Sequence, residues 1–416
     1  MSGRVILHCD CNGFFASVES ILRPELKTVP MAVCGDPESR HGIILAKNEL
    51  AKKYDVRTAE TVWQARRKCP DLVLVDAHHG EYSKYSRIIN EIYLSYTDLV
   101  EPFGIDESWL DVTGSTHLFG CGRAIADGLR ERIKKEVGLT VSVGVSFCKV
   151  FAKLGSDYKK PDATTVIGPK QMAELVWPMP VGALLFVGKQ SELSLRALNI
   201  RTIGDLARVD PGLLARRMGK LGSQLSAYAR GEERSPVSSY YRQEAAKSVG
   251  NGMTFRRDLT GEEDVRTGLL ALCDSVAARM RRQGVKCRTV QLTIKDPALH
   301  SIVRQRRLDA PSHLSSQLLE TALQLWRANW DPKKPIRMLT VTAEDLAGDG
   351  ESFEQMMLWS EEQRDSRARR ERLEQAVDAI RDKYGRGAVK AGAVIGNDLG
   401  IDDAPIEERT TEEELS

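Results

Sequence analysis

Twice along its 416 residues the chain spells the same order of elements: strand, helix, strand, strand, helix, strand. Short apolar runs alternating with helical periodicity in that order select a split βαβ, ferredoxin-like unit within the α+β class. In the first copy, RVILHCD (4–10) is a buried strand ending on an acid and 12–21 is a short helix. Strands follow at 31–35 and 72–76, with helical spacing over 46–68 broken near Asp55–Val56, and a long helix at 81–97. VEPFGI (100–105) and SWLDVT (108–113) form an antiparallel pair with Asp106 and Glu107 at the bend. A helix (121–136), a strand (140–146) and a helix (149–159) close the unit, into which 14–78 is largely inserted.

From 172 to 238 the pattern is short helices punctuated by Gly188, Gly204, Gly219 and Gly222. A polar linker leads to the second copy, whose pieces are 248–254, 263–282, 286–295, 300–307, 312–328 and 336–344. Here charge matters. The whole chain is nearly balanced at +2, but residues 242–346 hold 18 Lys and Arg against 12 Asp and Glu, a local excess of six. Such an excess suits a polyanionic partner. Beyond 350 come a short apolar motif, a charged helix from about 361 to 384, and a tail. Its residues 398–416 carry eight acids and one base, which reads as disordered.

No apolar run approaches the ~20 residues of a membrane-spanning helix, and MSGRVILHCD has no signal-peptide pattern. Eight cysteines without a CxxC pair point to a reduced, cytoplasmic protein. The histidines show no metal-ligand spacing with Cys9 and Cys11, so no zinc site is expected.

Asp10 ends one central strand, and Asp106 and Glu107 sit at the bend between two others, so three carboxylates can meet on one face. Clustered acids repel one another, and hard divalent cations bound through oxygen relieve that repulsion. A pair of such ions activates an attacking oxygen and stabilises a leaving one in phosphoryl transfer. The competing reading is a strand-end aspartate beside a solvated acidic turn.

The segments HCDCNGFFASVE (8–19), FGIDESWLDVTGS (103–115), TVSVGVSFCKVFAKLGSDYKKPD (140–162) and KSVGNGMTF (247–255) closely resemble the bacterial Y-family, or translesion, DNA polymerases, on the DNA polymerase IV branch. The resemblance covers about residues 4–346. It implies a right-hand architecture: palm 1–13 and 79–171, fingers 14–78, helical thumb 172–238, linker 239–246, a βαββαβ little finger 247–346, and a tail 347–416. It implies low-processivity DNA synthesis past damaged bases, as a monomer in the cytoplasm at the nucleoid, with primer–template DNA and dNTPs as substrates. Two Mg²⁺ ions, or Mn²⁺ in their place, are implied as cofactors.

By the same resemblance Asp10, Asp106 and Glu107 are the catalytic metal ligands, with the backbone carbonyl of Cys11 as a further one. Phe14 and Phe15 belong at the incoming nucleotide, Phe15 as the steric gate against a ribose 2′-hydroxyl. Lys160 matches the lysine on the triphosphate; Lys153, one turn earlier, reads as solvated or DNA-facing. In the fingers KNELAKKYDV (47–56) departs from the usual Asn-Tyr-Glu-Ala-Arg run: Glu49 stands for the Tyr and Lys52 for the Arg. Lys52 or Lys47 supplies the phosphate charge there, without a bidentate fork. Ile43 and Leu45 align with the roof over the nascent base pair.

LLFVGKQSEL (184–193) and ARRMGKLGSQL (215–225) resemble helix-hairpin-helix turns, placing Gly188, Lys189, Gly219, Lys220 and Gly222 at DNA phosphates. In the second module Arg256, Arg257, Lys286, Arg288, Arg304, Arg306 and Arg307 lie on or beside strands. Alternation puts some of them on the face opposite the apolar one, as a DNA-backbone stripe. Gln355-Met-Met-Leu-Trp359 resembles a clamp-binding peptide, with Gln355, Leu358 and Trp359 engaging the sliding clamp. Two other readings of the chain stand beside this one. A nucleotidyl cyclase shares a palm-like fold but needs neither the insert nor the basic module. A catalytically dead, polymerase-shaped DNA-binding protein would not need the three acids.

Overall fold

A computed structural model describes residues 3–36, 42–242, 245–348 and 361–401. The chain forms two compact units that part near residue 243.

The first unit begins with β1 (Ile6–Cys11), buried along its whole length. Gly13, at φ +54, turns the chain into α1 (Phe14–Leu22). β2 (Met31–Cys34) and β3 (Ile44–Lys47) follow, then the single turn α2 (Glu49–Lys52), α3 (Val62–Lys68) and β4 (Val73–Asp76). These strands make a separate sheet in the order β3-β2-β4. The helical spacing over 46–68 therefore yields a strand end and two short helices. Polar caps set the boundaries: the Asn48 side chain accepts from Ala51 N, and Thr61 and Gln64 form a capping box.

α4 (His79–Leu94), β5 (Val100–Pro102), β6 (Glu107–Asp111), the turn α5 (Thr116–Phe119), α6 (Gly122–Glu136), β7 (Val141–Ser146), α7 (Lys149–Tyr158) and β8 (Thr164–Ile167) complete the main sheet. Its order is β5-β6-β1-β7-β8, with β1 antiparallel to both neighbours. This is the expected split βαβ order. The added edge strand β8, parallel to β7, was not read from the sequence. α7 lies close on the sheet because two glycines face each other. A Cβ on Gly144 would sit 1.9 Å from Ala152 O and 2.5 Å from Ser156 N, and one on Gly155 3.0 Å from Gly144 Cα. Four short helices follow: α8 (Lys189–Arg196), α9 (Ile203–Arg208), α10 (Pro211–Met218) and α11 (Lys220–Ala229). Their buried Leu195, Ile203, Leu214 and Leu225 continue one core with Phe151 and Leu154 of α7.

The second unit runs β9 (Ser248–Leu259), α12 (Gly261–Arg282), β10 (Val285–Lys295), β11 (Ser301–Ser312), α13 (Ser315–Asn329) and β12 (Ile336–Gly348). The element order repeats that of the first sheet, but the strand order, β11-β10-β12-β9, does not. Leu272, Val276, Leu318 and Trp326 of the two helices pack on Val290, Leu292, Leu339 and Val341. A further helix, α14 (Glu361–Tyr384), is fixed to this unit: Arg281, 6% exposed, pairs with Glu374 and Asp378. Leu399, 2% exposed, completes the core, and Asp398 pairs with Arg257. The acidic-tail reading is thus corrected for 398–401, whose leucine finds an apolar slot that charge counting cannot reveal.

Candidate active site

Asp10 and Glu107 are register partners across β1 and β6, and Cys11 N donates to Asp106 O at 3.0 Å. Pairing of the two central strands therefore brings the three carboxylates to one end of the sheet. Glu107 is the first residue of β6 rather than part of the bend. The bend itself is Phe103–Asp106, opened by Gly104 at φ +108.

The sequence missed Lys153 as a member of this cluster. Its Nζ lies 2.9 Å from Asp10 Oδ2 and 2.8 Å from Glu107 Oε2, at 15% exposure. The Gly144–Gly155 approach of α7 presses this lysine onto the sheet end; a solvated helix face would have held it outward. Lys160 Nζ reaches Asp10 Oδ2 at 2.7 Å and Asp157 Oδ1 at 2.8 Å. Burial opposes the charge on both lysines, but Asp10 outweighs it and raises them above the ordinary lysine value. Burial, then Asp10 and Glu107, pushes Asp106 up to about 6. Burial also pushes Glu107 up, but the contacts with His8 and Lys153 hold it well below the usual carboxylate range.

His8, two residues before Asp10 on the same strand face, is wholly buried. Its Nδ1 lies 2.9 Å from Ser156 Oγ and its Nε2 3.2 Å from Glu107 Oε2, out of hydrogen-bond alignment. Burial lowers its pKa. One ligand atom from each of His8, Asp10 and Glu107 falls within 4.8 Å of the others, an approach the ligand-spacing argument did not anticipate. The oxygen-rich donor set fits a hard divalent cation. Glu107 Oε2 is buried between the Lys153 ammonium and the misaligned His8 ring, and four carboxylates face two ammonium groups. The Cys11 thiol points into the core and is pushed up by burial, which leaves only its carbonyl for a metal.

A cleft of about 370 Å³ opens over these acids, also lined by Phe14, Phe15, Leu45, Lys47, Lys153 and Lys160. Phe14 is 3% exposed and belongs to the core. Phe15, half-buried, stacks on Tyr82 with centroids 4.1 Å apart and planes 11° apart. Tyr82, a second residue the sequence reading passed over, is pinned from behind: its hydroxyl donates to Glu19 Oε1 at 2.6 Å. Lys47 stands in the cleft wall and donates to Thr58 Oγ1 at 3.1 Å. Lys52 does not line the cleft; at the end of a one-turn helix it is exposed and reaches Glu49 at 3.5 Å. Ile43 is 38% exposed, bridges to Thr61 and also lies outside the cleft lining.

The DNA-contact candidates scatter. Gly188 precedes α8 and Gly219, at φ +64, joins α10 to α11, each followed by its lysine, Lys189 and Lys220. Gly222 has a packing reason: a Cβ there would meet Leu214 O at 2.2 Å. Arg256 N donates to Leu399 O, while Arg257 is forked between Asp264 and Asp398. Lys286 lies 3.9 Å from Glu371 and Arg288 is half-buried. Arg304 and Arg306 pair in register with the buried Leu292 and Val290, so they share the helix-covered side and donate to Asn329 and Gln324 of α13. The stripe on the open face therefore does not include those two. Gln355, Leu358 and Trp359 fall outside the described residues.

Residues 9–157 match the impB/mucB/samB family, and residues 246–358 match the C-terminal domain of that family. A DNA polymerase IV of Acetivibrio thermocellus is 47% identical over 96% of this chain and 99% of its own length. One from Pelotomaculum thermopropionicum is 38% identical over 92% and 94%. DNA polymerase IV 1 of Bacillus subtilis is 34% identical over 94% and 93%. Among solved structures, a Y-family DNA polymerase chimera superposes with a TM-score of 0.73 at 21% identity, covering 83% of this chain and 99% of that one, a likeness of fold.

Proposed function

The chain belongs to the impB/mucB/samB family, on the DNA polymerase IV branch of the Y-family polymerases, and from that premise we propose how its residues carry out DNA synthesis past damaged template bases. It is a DNA-directed DNA polymerase: a primer 3′-hydroxyl attacks the α-phosphorus of a dNTP, the new phosphodiester forms, and pyrophosphate leaves. The observation that carries the mechanism is the carboxylate cluster of Asp10, Asp106 and Glu107 at the end of β1 and β6.

Those three acids, with the Cys11 carbonyl, would hold the divalent ions on which the activity depends; we assign two Mg²⁺. Bound there, the ions supply charge to the triphosphate and lower the pKa of the attacking hydroxyl. Lys160, and Lys47 on the facing wall, bring positive charge toward the triphosphate. Lys153 holds Asp10 and Glu107 in place. Phe15, backed by Tyr82, presents a fixed ring where the sugar lies, so that a 2′-hydroxyl collides with it.

The segments take the roles of palm (1–13, 79–171), fingers (14–78), thumb (172–238) and little finger (247–346). The Gln355–Trp359 peptide is assigned to a ring-shaped clamp, which raises the effective concentration of a low-processivity monomer at the primer end of cytoplasmic DNA. Asp106→Asn should cut incorporation at least ~10³-fold, about 4 kcal/mol of barrier, with primer–template affinity retained. Normal turnover in that variant under Mg²⁺ would remove the assignment.

A further inference from the structure

We propose that the cleft between β11, α13 and α14 is a phosphate site that grips the sugar–phosphate backbone of DNA. A cavity of about 480 Å³ opens there, lined by Arg306 and Arg307 from β11 and by Arg367 and Arg370 from α14. Asp309 and Glu320 also line it, which leaves a charge of +2. Arg306 is aimed by Gln324 at 2.8 Å, and Arg367 by the Pro311 carbonyl at 2.5 Å and by Glu371. Arg306, Arg307 and Arg370 make no ion pair among the described residues. A fold that gathers like charges from two elements pays a repulsion that an anion removes, and guanidinium forks match phosphate oxygens.

The phosphate could come from a polymer or from a free nucleotide. Among the described residues no aromatic side chain lines the cavity to stack a base. The edge strand also extends the cationic row with Arg304, outside the cavity. Both observations favour a linear polyanion. α14 starts at Glu361, past the family match that ends at 358, so one wall of the site comes from outside the matched domain and the other from within it. The proposal rests on the polymerase reading, since DNA is the polyanion at hand.

Arg370→Glu tests it, because Arg370 is exposed and its loss leaves the core alone. Binding of a labelled primer–template, without nucleotide and across a salt series, should weaken. The slope of log K against log salt should fall in magnitude by about one. Arg370→Lys should retain most of the affinity, and kcat at saturating DNA should be unchanged in both variants. Equal affinity and slope in Arg370→Glu and the unmodified chain, both of them incorporating nucleotides, overturns the proposal. So does inorganic triphosphate binding that Arg370→Glu abolishes while DNA binding stays the same, which would mark a nucleotide site. No incorporation by the unmodified chain would instead count against the polymerase reading.

Discussion

Asp10 and Lys153, 143 residues apart in the chain, share a hydrogen bond of 2.9 Å at the end of the central sheet. The lysine stands where a cation is needed and touches two of the three acids that would bind metal. Its charge offsets part of the repulsion among the acids and opposes a cation that arrives.

Lys153→Gln should therefore destabilise the metal-free protein by about 1–3 kcal/mol, because Glu107 loses its ammonium partner while Asp10 keeps Lys160. Mg²⁺ should then raise the Tm of this variant more than that of the unmodified chain. Thermal melts with and without Mg²⁺ measure both effects; an equal Mg²⁺ shift in the two proteins refutes the compensating role.

The Phe15–Tyr82 stack predicts a coupled effect on sugar choice. Phe15→Ala should admit ribonucleotides directly. Glu19→Gln should do so more weakly, by replacing the charge-assisted bond from the Tyr82 hydroxyl with a neutral one, and should cost about 1–3 kcal/mol. Ratios of ribo- to deoxynucleotide incorporation decide it.

Acid stability follows from the same glutamate. Burial pushes Glu19 up, but hydrogen bonds from Tyr82, His78 and Arg23 hold its folded-state pKa below the ordinary 4.5. Its stabilisation is thus fully present above about pH 4.5 and is lost as the pH falls through the lower folded value. Unfolding free energies between pH 3 and 6 should decline less steeply on the acid side in Glu19→Gln.

Lys47 and Lys52 separate cleanly. Lys47→Ala should raise the KM for dNTP about tenfold or more, the loss of one charge-assisted contact, while Lys52→Ala should stay within about twofold. Steady-state kinetics on one undamaged template tests the pair; the reverse order of effects would return the phosphate contact to Lys52.

Gly144→Ala should lift α7, because its methyl would meet the Ala152 carbonyl. About 3 kcal/mol of stability should be lost, and Lys153 and Lys160 should withdraw from Asp10. Titration of Mg²⁺ against incorporation, together with the Tm, reads both consequences.

The meeting of the three acids was legible because each sits at a strand boundary, and strand order alone brings strand ends together. Lys153 was not, since its inward direction depends on two missing methyls, at Gly144 and Gly155, that act only when helix and sheet meet. Arg304 and Arg306 looked like a surface stripe. The β10–β11 register, and the bulge between Cys287 and Thr289, decide their face, and alternation within one strand cannot supply a register. Lys52 looked equivalent to Lys47 until the Asn48 cap fixed where β3 stops and α2 starts. Composition marked 398–401 as tail, because one leucine among acids gives no period to read.

Leu399 is built into the core of a sheet whose last strand ends at Gly348. A ribosome adds about 5–20 residues per second, so the four strands and their two helices exist for seconds before this side chain is made. During that interval the slot it fills is open to water, and any slowing of translation between the end of β12 and Leu399 prolongs the exposure. The second unit therefore keeps one apolar gap open to water after its sheet is complete. The last turn of the chain to be made in this unit is thus also the one that seals it.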